Sequence, residues 1–179
     1  MAPPALRGIR PPDGIDSKNL QPDSALHGHS SLVSLGILGA ILAWGISGFA
    51  GDRLVDHAID NDAGRFEVKV PGVVRCGNVI ESRIHLTAKR RIAKLVIAVD
   101  TTLWRQITTN SMVPAPGSEA SAKGRHRFTY DPIDAGQTFD LQIQQQINPS
   151  LFGINHGRIA FFDGDEPLAD LALDIKVLP

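Results

Sequence analysis

The sequence predicts an all-β domain that is preceded by a disordered N-terminal tail and one transmembrane helix. Three observations lead to this prediction. Residues 32–50 read LVSLGILGAILAWGISGFA and belong to a longer run, 30–51, that has no charged residue. From Arg65 onward, apolar and polar residues alternate with a period of two, which is typical of strands with one buried face. No long helical pattern interrupts that alternation.

Residues 1–30 are the predicted disordered tail. They show little apolar periodicity and include Pro3, Pro4, Pro11, Pro12 and Pro22. Such a segment buries too little apolar surface to offset the entropy of ordering its chain.

Residues 31–51 are the predicted transmembrane helix. A helix rises about 1.5 Å per residue, so roughly 20 apolar residues cross a hydrocarbon core of about 30 Å. Two alternatives stay open. The run is either a helix buried in the soluble domain, or a cleaved signal peptide with small residues around Gly48-Phe49-Ala50.

Small residues recur at every fourth position of this segment, namely at Gly39, Ala43, Ser47 and Gly51. On a helix they form one stripe, which allows close approach of a second helix. We therefore predict helix packing against an integral membrane protein within the lipid bilayer.

Basic residues flank the apolar run almost equally on its two sides. By analogy with similar architectures, we place the tail in the cytoplasm and the β domain on the extracytoplasmic side of a bacterial cytoplasmic membrane.

Residues 52–64 are the predicted juxtamembrane connector. Leu54, Val55, Ala58 and Ile59 recur at helical spacing, which predicts that the helix continues for two or three turns. Asn61–Gly64 then ends it.

Residues 65–179 contain about seven predicted short strands. They are marked by alternation or aromatic residues near 65–70, 80–87, 95–99, 128–130, 139–144, 159–161 and 170–177. Turn residues such as Pro71-Gly72 and Asp163-Gly164 separate them. The pattern predicts an antiparallel two-sheet sandwich with an immunoglobulin-like arrangement, the alternative being an eight-stranded barrel.

Two segments, 124–149 and 157–179, carry a resemblance to a known group. Phe128-Thr129-Tyr130, the turn Asp134-Ala135-Gly136 and the alternating run Phe139–Ile143 occupy the places of equivalent features there. In this pattern the chain resembles the second half of bacterial immunoglobulin-like modules. The resemblance implies the sandwich fold and a single-pass membrane protein.

Composition points away from several functional classes. The formal net charge is −1, and no basic patch suggests nucleic acid as a partner. The single cysteine, Cys76, excludes an internal disulfide and is expected to be a small buried apolar residue. We predict neither a cofactor nor a metal site, because no clustered cysteine, methionine or histidine ligands occur.

Catalytic patterns are weak. Ser150, His156 and nearby carboxylates form a nominal hydrolase set, but the serine lacks the flanking glycines of a nucleophile elbow. We therefore predict no catalytic residues and no enzymatic activity.

Two connections are candidate interface segments. Trp104 and Arg105 precede a predicted long loop, Thr108–Arg125, and tryptophan and arginine are favoured interface anchors. Leu151 and Phe152 are apolar residues in a predicted exposed turn. Trp104 either caps the sandwich core or meets a partner, and the same choice applies to Leu151 and Phe152.

These observations predict a non-enzymatic, membrane-anchored accessory subunit of a larger membrane protein complex. The alternatives are a copper-handling assembly factor and an extracytoplasmic ligand-binding or adhesion module that uses the Thr108–Arg125 loop.

Overall fold

A computed structural model describes residues 26–46 and 54–179, with the side chains of 32–46 in the first range. The first range is one α-helix, α1, Leu26–Ile46. The second range contains all the strands and belongs to a separate compact unit. The predicted tail lies outside the described residues up to position 25, and its last residues are helical.

The prediction of a transmembrane helix over 31–51 is wrong. Among the residues described, no helix has both the length and the apolar character needed to cross a membrane.

The described residues of the β domain form eleven strands. They are β1 Leu54–Asp60, β2 Gly64–Pro71, β3 Val73–Arg75, β4 Val79–Ala88, β5 Leu95–Asp100, β6 Ile107–Val113, β7 Ser118–Ala122, β8 Arg125–Thr129, β9 Thr138–Ile147, β10 Gly153–Asp163 and β11 Glu166–Leu178.

The strands form two sheets, as expected for a β-sandwich. One sheet has five strands in the order β1-β2-β4-β9-β6, and the other has six in the order β3-β11-β10-β5-β8-β7. All pairs are antiparallel except β3 with β11, which is parallel. The prediction of about seven strands in antiparallel sheets is therefore wrong in strand number and in this pair.

The predicted helical connector is a strand. β1 pairs antiparallel with β2 along its full length, from Leu54 opposite Pro71 to Asp60 opposite Arg65. Asn61 closes the hairpin, since its Oδ1 accepts hydrogen bonds from the N–H groups of Ala63 and Gly64 at 2.9 and 3.2 Å. Pairing with β2 satisfies the backbone here, and the β domain begins by Leu54 rather than at Arg65.

The predicted loop Thr108–Arg125 contains two strands, β6 and β7. Both are outer strands, β6 of the five-stranded sheet and β7 of the six-stranded sheet. A β-bulge between Thr109 and Ser111 breaks the alternation of β6. Every residue of β7 is exposed. Neither strand therefore carries the apolar alternation that predicts a strand.

The core lies between the inward faces of the two sheets. Its centre is the contact of Phe66 on β2 with Phe161 on β10, whose rings lie 4.9 Å apart and are both fully buried. β11 contacts β1 and β2, so the sheets meet at that side of the sandwich. Each apolar face is shielded from water mainly by the opposite sheet, and connecting residues such as Leu103 and Leu151 complete the core.

Phe66→Ala is expected to lower the free energy of unfolding by about 3–5 kcal/mol, because it removes a fully buried ring and leaves a cavity beside Phe161. Urea denaturation measures this loss. Val79, which is exposed, supplies the control: Val79→Ala should change the free energy by no more than about 0.5 kcal/mol. Equal losses in the two variants would contradict the proposed core.

Candidate functional site

A groove runs between the outer strands of the two sheets. The inward side of β6 forms one wall, and β7 with β8 forms the other. We call this cavity of about 540 Å³ the edge groove. Its side chains are partly apolar and partly polar, and they include Trp104, Thr109, Met112, Glu119, Ser121, His126 and Phe128.

Trp104 is the aromatic centre of the edge groove. It is only partly buried, and it packs against the core as well as facing the groove. Its ring centroid lies 5.6 Å from that of Phe128 and 6.1 Å from that of His126, whose plane is inclined by only 25°. Ser121 Oγ and His126 Nδ1 are 2.9 Å apart, so a hydrogen bond orients the histidine.

Asn155 fixes the backbone of the turn that carries Trp104. This side chain on β10 is almost fully buried, and its Nδ2 donates to the carbonyl oxygens of Leu103 and Arg105 at 3.1 and 2.9 Å. Its Oδ1 accepts a hydrogen bond from Arg105 Nη2 at 3.1 Å. One buried amide therefore holds both neighbours of Trp104 in place.

Close packing restrains the same turn. A Cβ atom added to Gly157 would lie 2.6 Å from Leu103 Cβ, so only glycine lets β10 approach the turn this closely. Gln106 ends the turn with a positive φ of 54°, and its side-chain oxygen accepts a hydrogen bond from Ser150 Oγ at 2.9 Å. The position of Trp104 is thus set before any partner binds.

Tyr130 packs beside Met112 at the β6 wall of the edge groove. Its hydroxyl donates to Met112 Sδ at 3.9 Å, and its ring lies 4.9 Å from that of Phe139. Burial raises the pKa of Tyr130 well above its ordinary value of 10.0, and the carboxylate of Glu119 raises it further. The hydroxyl is therefore a neutral donor at physiological pH.

The predicted interface residues divide into two groups. Trp104 lines the edge groove, and Arg105 is exposed but bonded to Asn155. Leu151 is almost fully buried and belongs to the core, whereas Phe152 is 69% exposed and is not part of the groove lining. The groove therefore contains Trp104 of the predicted set. The β7 residues of the groove lie in the segment Thr108–Arg125, which was predicted to be a loop.

The predicted helix-packing stripe is only partly described. Gly39 and Ala43 lie on α1. Ser47 and Gly51 lie outside the described residues. Helix packing through this stripe stays a prediction.

A second depression, of about 690 Å³, lies on the outer face of the five-stranded sheet. Cross-strand pairing there places Glu67, His85 and Asp140 in one row. His85 Nδ1 lies 2.5 Å from Asp140 Oδ1, and Thr87 Oγ1 lies 3.3 Å from His85 Nε2. Asp140 is thus bonded to His85, and Glu67 is bonded to Arg65, so we consider this face a weaker candidate than the edge groove.

The nominal hydrolase residues do not meet. Ser150 Oγ donates to Gln106, while His156 Nδ1 lies 2.6 Å from Asp174 Oδ1. Across the described residues, no three or more His, Cys, Asp and Glu side chains form a group suited to a metal ion.

Comparison with known proteins does not identify a family. No protein-family model matches the chain, and no curated protein matches it. Among 33 matching chains of solved structures, one comes from a dockerin–cohesin complex, CaDoc0917–CaCohA2. It is 12% identical at a TM-score of 0.40, and the match covers 60% of this chain and 96% of that chain.

A second match is the β-N-acetylglucosaminidase of Vibrio harveyi, with a TM-score of 0.29 and 12% identity. The match covers 71% of this chain and 18% of that one. Likenesses this distant do not bear on the function of the present chain.

The raised pKa of Tyr130 predicts an alkaline titration that can be read directly, because the chain has a single tyrosine. The folded domain should keep this phenol protonated above pH 10, where an unfolded tyrosine ionises. Above pH 10 the unfolded state therefore binds fewer protons than the folded state. The free energy of unfolding falls as the pH rises above 10, because unfolding then releases the proton of Tyr130. Absorbance near 295 nm measures the ionisation, and Glu119→Gln should lower its midpoint. A midpoint at the ordinary value of 10.0 would contradict this burial.

Asn155→Ala should lower the free energy of unfolding by about 1–3 kcal/mol, because two carbonyl oxygens and Arg105 lose a buried partner. The fluorescence of Trp104, read in a Trp44→Phe background, should shift to the red as the turn loosens. Asn78→Ala is the matched control, since Asn78 is exposed. An unchanged spectrum would mean that Asn155 does not position Trp104.

Proposed function

We propose that this chain is a non-enzymatic accessory protein that acts by contact with another protein, and that the partner binds in the edge groove. The observation that carries the proposal is a partly exposed tryptophan whose backbone is fixed by a buried asparagine. Tryptophan is among the residues that contribute most to binding at protein interfaces.

Restraint of the turn favours binding for an energetic reason. Association loses free energy when side chains and loops must be ordered at the interface, at about 0.5–1.5 kcal/mol per immobilised side chain. Asn155 and Gly157 already impose that order on Trp104 in the free protein. Less of the contact energy is therefore lost on binding.

The composition of the groove also agrees with this role. Trp104, Phe128 and Met112 provide apolar surface at its centre, and Glu119 and Ser121 provide polar groups on the β7 side. An apolar centre with polar surroundings is the usual anatomy of a protein interface.

Membrane anchoring is not part of the proposal, because no helix among the described residues has the length and apolar character needed to cross a membrane. The placement of the β domain on the extracytoplasmic side of a bacterial membrane stays a prediction.

A ligand-binding module is the second candidate. The edge groove has a volume of about 540 Å³, within the range of about 300–1,000 Å³ that small-molecule sites occupy. Because β6 and β7 form its walls, the segment Thr108–Arg125 would contribute much of such a site. The experiment below separates the candidates by the size of the bound species.

Photocrosslinking from adjacent threonines tests the proposal. Thr109 faces the edge groove, whereas Thr108 on the same strand is exposed and does not line it. A photoreactive phenylalanine analogue at 109 should crosslink a discrete protein in the native host, and the same analogue at 108 should not.

Trp104→Ala in the 109 background should reduce the crosslinked product by about thirtyfold, the equivalent of about 2 kcal/mol. Thermal unfolding of the variant controls for loss of fold. Equal products from both threonines, or a product that persists in Trp104→Ala, would exclude the groove as the protein-binding site. Labelling by a small molecule alone would favour the second candidate.

A further inference from the structure

β7 is an outer strand with no feature that guards its open edge. Its five residues, SEASA, include no proline, and only Glu119 is charged. The three other outer strands differ: β6 has a bulge at its centre, β3 spans only Val73–Arg75, and β1 carries the charged residues Asp56 and Asp60. Bulges and prolines are common means by which proteins prevent strand pairing at an edge. β7 has neither of them.

The pairing of β8 shows which backbone groups of β7 face outward. The N–H of Tyr130 donates to Leu95 on β5, and the carbonyl of Thr129 accepts from Gly117 on the opposite side. Since hydrogen bonding alternates along antiparallel strands, the odd-numbered residues of β8 bond to β7. By the register of the pair, Ser118, Ala120 and Ala122 bond to β8. The N–H and C=O groups of Glu119 and Ser121 then point away from the sheet.

Different chemistry lies on the two faces of the β7 edge. On the inward face, Glu119 and Ser121 share a side with Phe128 and His126, and the edge groove lies below them. On the outward face lies a third depression, of about 550 Å³, which we call the outward depression; it is lined by Ala122, Lys123, Arg125 and Arg127.

The outward depression carries net positive charge. Arg125 bonds to Asp100, and Arg127 bonds to Asp165, each through one carboxylate oxygen. Three cations and two carboxylates leave an excess of one positive charge, to which Lys123 contributes. Acidic side chains would be complementary to this face.

We propose that the partner binds by adding one extended strand to β7, with apolar side chains in the edge groove and acidic side chains over Lys123, Arg125 and Arg127. The inference rests on the proposed function and specifies its partner as a segment in which apolar and acidic residues alternate. Alternation is required because successive side chains of a strand point to opposite faces. Backbone hydrogen bonds to Glu119 and Ser121 would hold the added strand. The edge groove and the outward depression would select its side chains.

The probe is a short acetylated and amidated peptide in which phenylalanine and valine alternate with glutamate. Titration of the isotope-labelled full chain should shift the amide resonances of Glu119 and Ser121 and slow the hydrogen exchange of both. A peptide with lysine in place of each glutamate should bind at least tenfold more weakly. Absence of binding by the glutamate peptide, or equal binding of both peptides, would overturn the proposal.

Ser121→Pro isolates the backbone contribution. Proline removes the outward N–H of this residue while leaving the β7–β8 bonds of Ala120 and Ala122 in place. Binding of the glutamate peptide should weaken about fivefold to tenfold, as expected for one hydrogen bond. Ser121→Ala is the matched reference, because it removes the hydroxyl that bonds to His126 but keeps the N–H, so the fivefold to tenfold difference is measured between Ser121→Ala and Ser121→Pro.

Peptide methylation gives a test that does not alter the protein. N-methyl groups on alternate residues block one edge of the peptide, and the two possible phases of methylation form a matched pair. One phase should abolish binding, and the other should leave it unchanged. Equal binding of both phases would exclude strand addition.

Failure of this inference is distinguishable from failure of the proposed function. If Trp104→Ala abolishes the crosslink from position 109 but Ser121→Pro and the methylated peptides have no effect, the groove binds a partner by another mode. Self-association of the chain in the absence of peptide, if Ser121→Pro abolishes it, would identify a second copy as the occupant and overturn the acidic segment.

Discussion

The structure depends on the mutual burial of two apolar sheet faces. Each sheet presents alternate residues to the other, and the contact of Phe66 with Phe161 lies at the centre. A shift of one residue in any central strand would turn its apolar side chains to solvent, so this burial also fixes the strand register. An outer strand pairs with a neighbour on one side only. The edge groove lies between two such strands, β6 and β7, where the two sheets no longer cover each other.

Strands with one buried face could be predicted from the sequence, and strands without one could not. β4, β9 and β11 alternate between buried and exposed residues along most of their length, and that alternation is what the sequence displays. β7 has no buried residue, and β6 is interrupted at its bulge. The sequences of both strands therefore predicted a loop. Their strand conformation comes from pairing with β8 and β9, which is long-range information.

The first part of the chain shows the opposite error. Leu54, Val55, Ala58 and Ile59 occur at helical spacing, yet the segment pairs with β2 as strand β1. A spacing of one, three and four residues fits a helix face as readily as it fits an exposed outer strand. Tertiary pairing decided the outcome, because local preference in so short a segment is weak. For α1, the apolar run predicted a helix, and the described helix, Leu26–Ile46, begins before the predicted start at residue 31.

Trp104 could be nominated from residue type alone, but its surroundings could not. The asparagine that holds its turn is 51 positions away, and a single Asn within a strand gives no signal of burial. The sequence likewise does not indicate that Gly157 is packed directly against Leu103. Leu151 shows the converse, since an apolar residue in a turn was equally compatible with a core position, which it occupies.

The full exposure of β7 has an evolutionary consequence. Substitutions at positions outside the core usually change stability by less than about 0.5 kcal/mol. The side chains along this edge are therefore open to drift and to selection for new preferences, while the buried residues stay under constraint from folding. Duplicated copies of such a domain would diverge first along this strand, and partner preference would change before the scaffold did.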